Sequence, residues 1–190
     1  MNRLHPDAVL FVGDLSDGDL RLTRRIAALP FPLAVILGNH DRGGDRSGGL
    51  LRQQLALLGD CHCGWTRLSW VTPALSIVGA RPCSAGGGFQ LSKAVEAVFG
   101  PITREESASR IAAAALEVPE EQPLIVLAHS GPTGLGSEAS SPCGRDWKRP
   151  AIDWGDSDLA LALDTMASRR RPDLVVFGHM HHPLLSLIHI

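Results

Sequence analysis

The sequence predicts an α/β fold organised on a largely parallel sheet, and three observations carry that prediction. Four apolar, often β-branched runs (8–12, 33–37, 124–128 and 174–177) show no alternation, which is how strands buried on both faces read. The segments between them have helical spacing and recognisable ends. A pair of short strands, 66–71 and 75–78, turns about Thr72-Pro73 and reads as a hairpin inserted midway. Strand–helix alternation plus this hairpin implies two sheets packed face to face and flanked by helices, in one domain over residues 1–190.

Along the chain, Asp17 or Asp19 caps a first helix that presents Leu22, Ile26 and Leu29 on one face and stops at Pro30. A second, apolar helix runs from 49 to 58 and ends at Gly59. Thr103-Arg104-Glu105-Glu106 has capping-box spacing and opens an Ala-rich helix that Pro119 breaks after Glu117. Ser157 opens the last helix, through Leu159, Leu163 and Met166. Arg169, Arg170 and Arg171 fall in its final turn, where cations suit the helix dipole. The stretch from 130 to 155 is too long for a passive connection and is expected to wall the substrate site.

Each apolar run stops at a side chain able to hold a metal. The first meets Gly13-Asp14, the second Gly38-Asn39-His40-Asp41, the third His129, and the fourth Gly178-His179-Met180-His181. Ligands of open α/β sheets sit beyond the carboxyl ends of the strands, so these residues should converge. A carboxylate at Asp14 can bridge two cations, and Asn39 adds a carbonyl oxygen without adding charge. His179 and His181, two residues apart in an extended segment, point the same way and form a chelating pair, with His182 a bystander. Taken singly, Gly-Asp reads as a strand-end helix cap and His129 as an ordinary histidine; the order and strand context of all four make the metal site, one suited to two ions.

Composition sets limits. The chain has 190 residues, 44% of them hydrophobic, enough to bury a core. A formal net charge of −2 leaves no basic footprint for nucleic acid. No apolar stretch of about 18 residues is present to span a membrane, and the first six residues carry no signal-peptide pattern. Cys61, Cys63, Cys83 and Cys143 follow no zinc-finger or disulfide spacing, so reduced thiols and a cytoplasmic location are expected.

Gly13-Asp14, Gly38-Asn39-His40-Asp41, the strand-end His129 and Gly178-His179-Met180-His181 together resemble the calcineurin-like metallophosphoesterase superfamily, in its order, from 7 to 182. Asp17-Gly18-Asp19, Gly79-Ala80-Arg81-Pro82 and Pro142-Cys143-Gly144-Arg145-Asp146-Trp147 further resemble a branch found in cyanobacteria and plant plastids. The resemblance implies an α/β/β/α sandwich and hydrolysis of a phosphomonoester or phosphodiester by a metal-bound hydroxide at a two-metal site holding Mn, Fe or Zn. By the same resemblance Asp14 bridges the metals, Asn39, His129 and His179 hold the second, and His181 the first. His40 protonates the leaving oxygen, and Asp41 orients its ring. The family also opens with Asp-x-His on a first strand, and no Asp-x-His precedes Asp14 here. The expectation is therefore a chain cut at its N-terminus and, from the 184–190 segment, at its C-terminus. Its first metal would be weak or absent, leaving one ion and impaired activity. The competing class is a metallophosphoesterase-like scaffold that binds proteins without catalysis; the retained His40, Asp41, His179 and His181 argue against it.

Other positions have simpler readings. Arg42, Arg81 and Arg145 could pair with a phosphate, yet each reads first as a solvated loop arginine. Gly86-Gly87-Gly88 reads as a flexible loop near the site mouth, Cys61-His62-Cys63 as a loop before the hairpin, and Trp65, Trp70, Trp147 and Trp154 as packing residues.

Overall fold

The computed structural model describes residues 5–145 and 149–181. The expectations placed on Trp147, His182 and the 184–190 segment lie outside the described residues. Strand β1 (Val9–Phe11) pairs in parallel with β2 (Leu33–Val35). A four-stranded mixed sheet has the order β3 (Arg67–Trp70), β4 (Leu75–Gly79), β5 (Leu124–Leu127), β8 (Leu174–Val176), with β3 antiparallel and the other three parallel. Two residues each from β6 (Gly144–Arg145) and β7 (Ile152–Asp153) form a small antiparallel ladder inside the long 130–155 connection. Helices α1 (Leu20–Ala27), α3 (Lys93–Phe99), α4 (Arg104–Leu116) and α5 (Ser157–Met166) occupy the crossovers that parallel neighbours require, and α2 (Gly49–Leu58) lies in the passage from one sheet to the other. The fold is thus α/β, with mixed sheets and flanking helices. Among the described residues no helix is long and apolar enough to cross a membrane.

Residues along the strands divide between two apolar clusters, as a period of two requires. Val35, Leu37, Val78, Leu124, Val126 and Ala128 join a large cluster to which every helix contributes. Ala34, Ile36, Ile77 and Leu127 join a smaller one that includes Cys63 and no helical residue. That smaller cluster links the two-stranded and four-stranded sheets, and Val35 of β2 forms an isolated parallel bridge with His62 in the segment before β3.

Local chemistry sets most helix ends. Thr103 and Glu106 cap α4 reciprocally, side chain to backbone in both directions. Asp19, rather than Asp17, caps α1. Two expectations change. Leu22 and Leu29 are 39% and 37% exposed, because α1 buries Thr23 and Ile26 instead. Thr23 Oγ1 donates to Gln54 Oε1 of α2, a polar seam that apolar spacing does not report. The arginines 169–171 lie beyond the end of α5 at Met166, where Arg170 reaches back to the carbonyl of Gln122.

Candidate metal centre

The parallel strands β1, β2, β5 and β8 deliver their C-terminal residues to one corner of the molecule. Asp14 follows β1, Asn39 follows β2, His129 follows β5 and His179 follows β8. Ligand atoms of Asp14, His129 and His179 all lie within 4.8 Å of one another. Asn39 Oδ1 completes the group at 3.0 Å from His129 Nε2. Close approach is possible because the turns carry glycine: a Cβ at Gly38 would collide with Asp14 Oδ1 and His129 Cε1. Asp14 and His179 both adopt left-handed backbone, at φ 54° and 71°. Such φ values are uncommon outside Gly but are tolerated best by Asn, Asp and His.

Each imidazole is held by a carbonyl on its far side. His129 Nδ1 lies 2.6 Å from Val12 O, and His179 Nε2 lies 3.1 Å from Ala85 O. A carbonyl only accepts, so both of these nitrogens donate, which leaves His129 Nε2 and His179 Nδ1 as bare lone pairs in the neutral rings. Those two atoms are 3.1 Å apart, and Asp14 Oδ2 is 3.4 Å from His129 Nε2. Four electron-rich atoms therefore crowd one point, an arrangement that a cation satisfies. The donor set of imidazole, carboxylate and amide oxygen fits a divalent ion and does not select one metal.

The acid–base balance of these groups follows from the same field. Burial works against charging His129, but the Asp14 carboxylate outweighs it and raises the imidazole above its usual value. Burial likewise opposes ionisation of Asp14, yet His129 and the His40 N–H hold its carboxyl down at about 2. His179 falls to about 4, because it is desolvated and stands beside His129.

Other expected residues stand at different distances from this cluster. His181 is outside it but lines the same cavity, of about 470 Å³, with Asn39, Ala85, Trp154, His179 and Met180. His40 is exposed; its backbone N–H donates to Asp14 Oδ1 at 2.9 Å, and its Nδ1 lies 3.3 Å from Asp17 Oδ1. The expected Asp41–His40 pairing is corrected here. Asp41 is fully buried, with Oδ1 accepting from Leu15 N and Ser16 N and Oδ2 from Gly38 N. It braces the two ligand-bearing turns, and Asp17 takes the place beside the His40 ring. Sequence adjacency misled, because successive residues after a strand leave in different directions.

A family model described as calcineurin-like phosphoesterase matches residues 1–183. The chain belongs to the calcineurin-like phosphoesterase family. Comparison with curated proteins finds no match. Members of this family are metal-dependent phosphoester hydrolases, and Asp14, His129 and His179 form a group fit for such a metal.

Arg81 is no solvated loop residue: it is 1% exposed and donates to Asp156 Oδ1 at 2.7 Å and Asp158 Oδ2 at 3.0 Å. It has no access to a substrate phosphate in this calcineurin-like domain. Arg145 stacks on Trp154, 4.3 Å from the ring centroid, and Trp154 lines the cavity. The long connection thus supplies a wall of the cavity, as its length suggests. The pairing of Arg81 with partners 75 and 77 residues away left no local signal in the sequence.

Proposed function

We propose that this domain hydrolyses phosphomonoesters or phosphodiesters of small molecules at a metal centre held by Asp14, Asn39, His129 and His179. The observation behind this reading is the convergence of four acceptor atoms whose imidazoles are each pinned from behind by a carbonyl. A divalent Mn, Fe or Zn ion bound there would supply Lewis-acid polarisation of the phosphoryl oxygens. The chain's own groups would do the rest. Asn39, His179 and His181 line the cavity that would seat the phosphoryl group, while Trp154, Ala85 and Met180 give it an apolar side for the esterified alcohol. His40, exposed and beside Asp17, would give a proton to the leaving oxygen, help worth about 10²–10⁴-fold.

Among the described residues four ligand atoms would serve one ion, and a second ion would draw on Asp14 and His181. One ion and modest turnover are therefore the expectation, in a single cytoplasmic domain. The test is elemental analysis after Mn²⁺ loading, combined with turnover of p-nitrophenyl phosphate and bis(p-nitrophenyl) phosphate, for the wild type, Asp14→Ala and His179→Ala. About one ion per chain and turnover lost in both variants supports the reading. Metal uptake unchanged by both substitutions would sink it.

A further inference from the structure

Behind the candidate metal centre lies a buried ionic network that the proposed chemistry does not use. Arg81 is gripped by Asp156 and Asp158, all three at most 1% exposed. Its remaining N–H groups donate to Gln90 O at 2.6 Å and Gly88 O at 3.1 Å, and its guanidinium lies over Phe89. Burial pushes the Asp156 carboxyl above the usual carboxylate range, and Arg81 pulls against that. The two carboxylates then diverge in what else they hold. Asp158 accepts from Ser107 Oγ at 2.5 Å, and Ser107 accepts from Trp65 Nε1 at 2.7 Å, which ties the network to the core of α4. Asp156 instead accepts from Ser84 Oγ at 2.6 Å, and Ser84 Oγ accepts from Gly86 N at 3.1 Å.

Ser84 and Gly86 flank Ala85, whose carbonyl accepts from His179 Nε2 and, at 2.8 Å, from Trp154 Nε1. The same loop is laced to the Asp156 side by backbone bonds: Gly87 N to Trp154 O at 2.6 Å and Gly88 N to Gly155 O at 2.9 Å. Asp156 N in turn donates to Gly131 O at 2.7 Å, two residues past His129. The buried Asp156 carboxylate is therefore tied through Ser84 to the loop whose carbonyl accepts from His179 Nε2.

We propose that Asp156 is a positioning residue for His179, acting through Ser84 and the Ala85 carbonyl to hold the imidazole with its Nδ1 lone pair aimed at Asp14, Asn39 and His129. Asp158 makes no hydrogen bond to Ser84, reaches that loop only through Arg81, and serves mainly stability. Partners behind a metal-binding histidine fix its tautomer and ring orientation, and losing one costs about 10–100-fold in affinity. The proposal rests on the metal-centre reading above, but its test does not depend on turnover.

Histidine-¹⁵N-labelled metal-free protein is compared by imidazole NMR, with His179→Ala assigning the His179 signals, and Co²⁺ affinity is then measured by titration. Wild type and Asp158→Asn should both show the ring proton on Nε2 of His179. Ser84→Ala and Asp156→Asn should lose that single tautomer and bind Co²⁺ about 10–100-fold more weakly, while Asp158→Asn lowers the Tm but shifts Co²⁺ affinity by less than about threefold. Ser84→Ala removes only a hydroxyl, so it keeps the test open if Asp156→Asn folds poorly. The proposal falls if Ser84→Ala and Asp156→Asn keep the wild-type tautomer and affinity, if Asp158→Asn loses as much affinity as they do, or if His179 in the wild type carries its proton on Nδ1. Intact Co²⁺ binding without phosphoester turnover would instead overturn the proposed function and leave this assignment standing.

Discussion

Two polar regions lie side by side beneath the same loop and solve burial in opposite ways. In the Arg81–Asp156–Asp158 network a guanidinium faces two carboxylates, and the serine hydroxyls and backbone carbonyls around it supply the remaining partners. At the Asp14–Asn39–His129–His179 corner the side chains present acceptors to one another, and nothing among the described residues supplies a matching cation. Buried polar groups are normally satisfied internally. Charged residues alone therefore do not mark a functional site; the mark is a cluster whose satisfaction must come from outside.

Breaking the closed region should have the largest effect. Arg81→Ala leaves two buried carboxylates without their cation, and a loss of about 3–5 kcal/mol in urea unfolding is expected. Next comes acid. The half-buried His62 imidazole, whose enclosed Nε2 has no hydrogen-bond partner among the described residues, is held down at about 4 by desolvation, and His179 shifts in the same direction. Both folded values lie below the unfolded 6.5, so the native state refuses the proton. The contribution of these two rings is then complete above pH 6.5 and declines as the pH falls toward about 4, by roughly 3 kcal/mol at most for His62. His62→Leu should flatten much of that decline in a series of Tm values against pH. The open region answers to metal instead. Mn²⁺ at about 100 times its Kd should stabilise the wild type by about 2.7 kcal/mol and leave Asp14→Ala unmoved in a thermal-shift assay. A Tm gain equal in both would place the ion elsewhere. Far from either region, Thr103→Ala removes half of the α4 capping box, and about 1 kcal/mol should be lost with metal affinity unchanged.

What was legible in the sequence was what short-range chemistry writes there. The capping box at Thr103 and Glu106 and the bounds of α2 followed from neighbouring residues. The strand ends bearing Asp14, Asn39, His129 and His179 followed from unbroken apolar runs, and parallel pairing then brings such ends together. Long-range pairings were not legible. Nothing near Arg81 announces Asp156 or Asp158, so a buried anchor looks like a loop arginine. Asp41 follows His40 directly, yet the backbone turns it inward to Leu15, Ser16 and Gly38. The short α3, capped by Ser92, went unread because seven residues give periodicity too little length. Likewise the Thr23–Gln54 seam is polar, and hydrophobic spacing is blind to it.

The Ala85 carbonyl accepts from two rings at once, the imidazole of His179 and the indole of Trp154. Indole emission depends on the hydrogen bond at its nitrogen and on nearby charge, so the chain carries an optical gauge wired to the very acceptor that sets His179. Titration of the centre should register as a change in fluorescence, and Trp154→Phe should silence most of that signal. Occupancy could then be followed in real time, in a cuvette, without label or substrate.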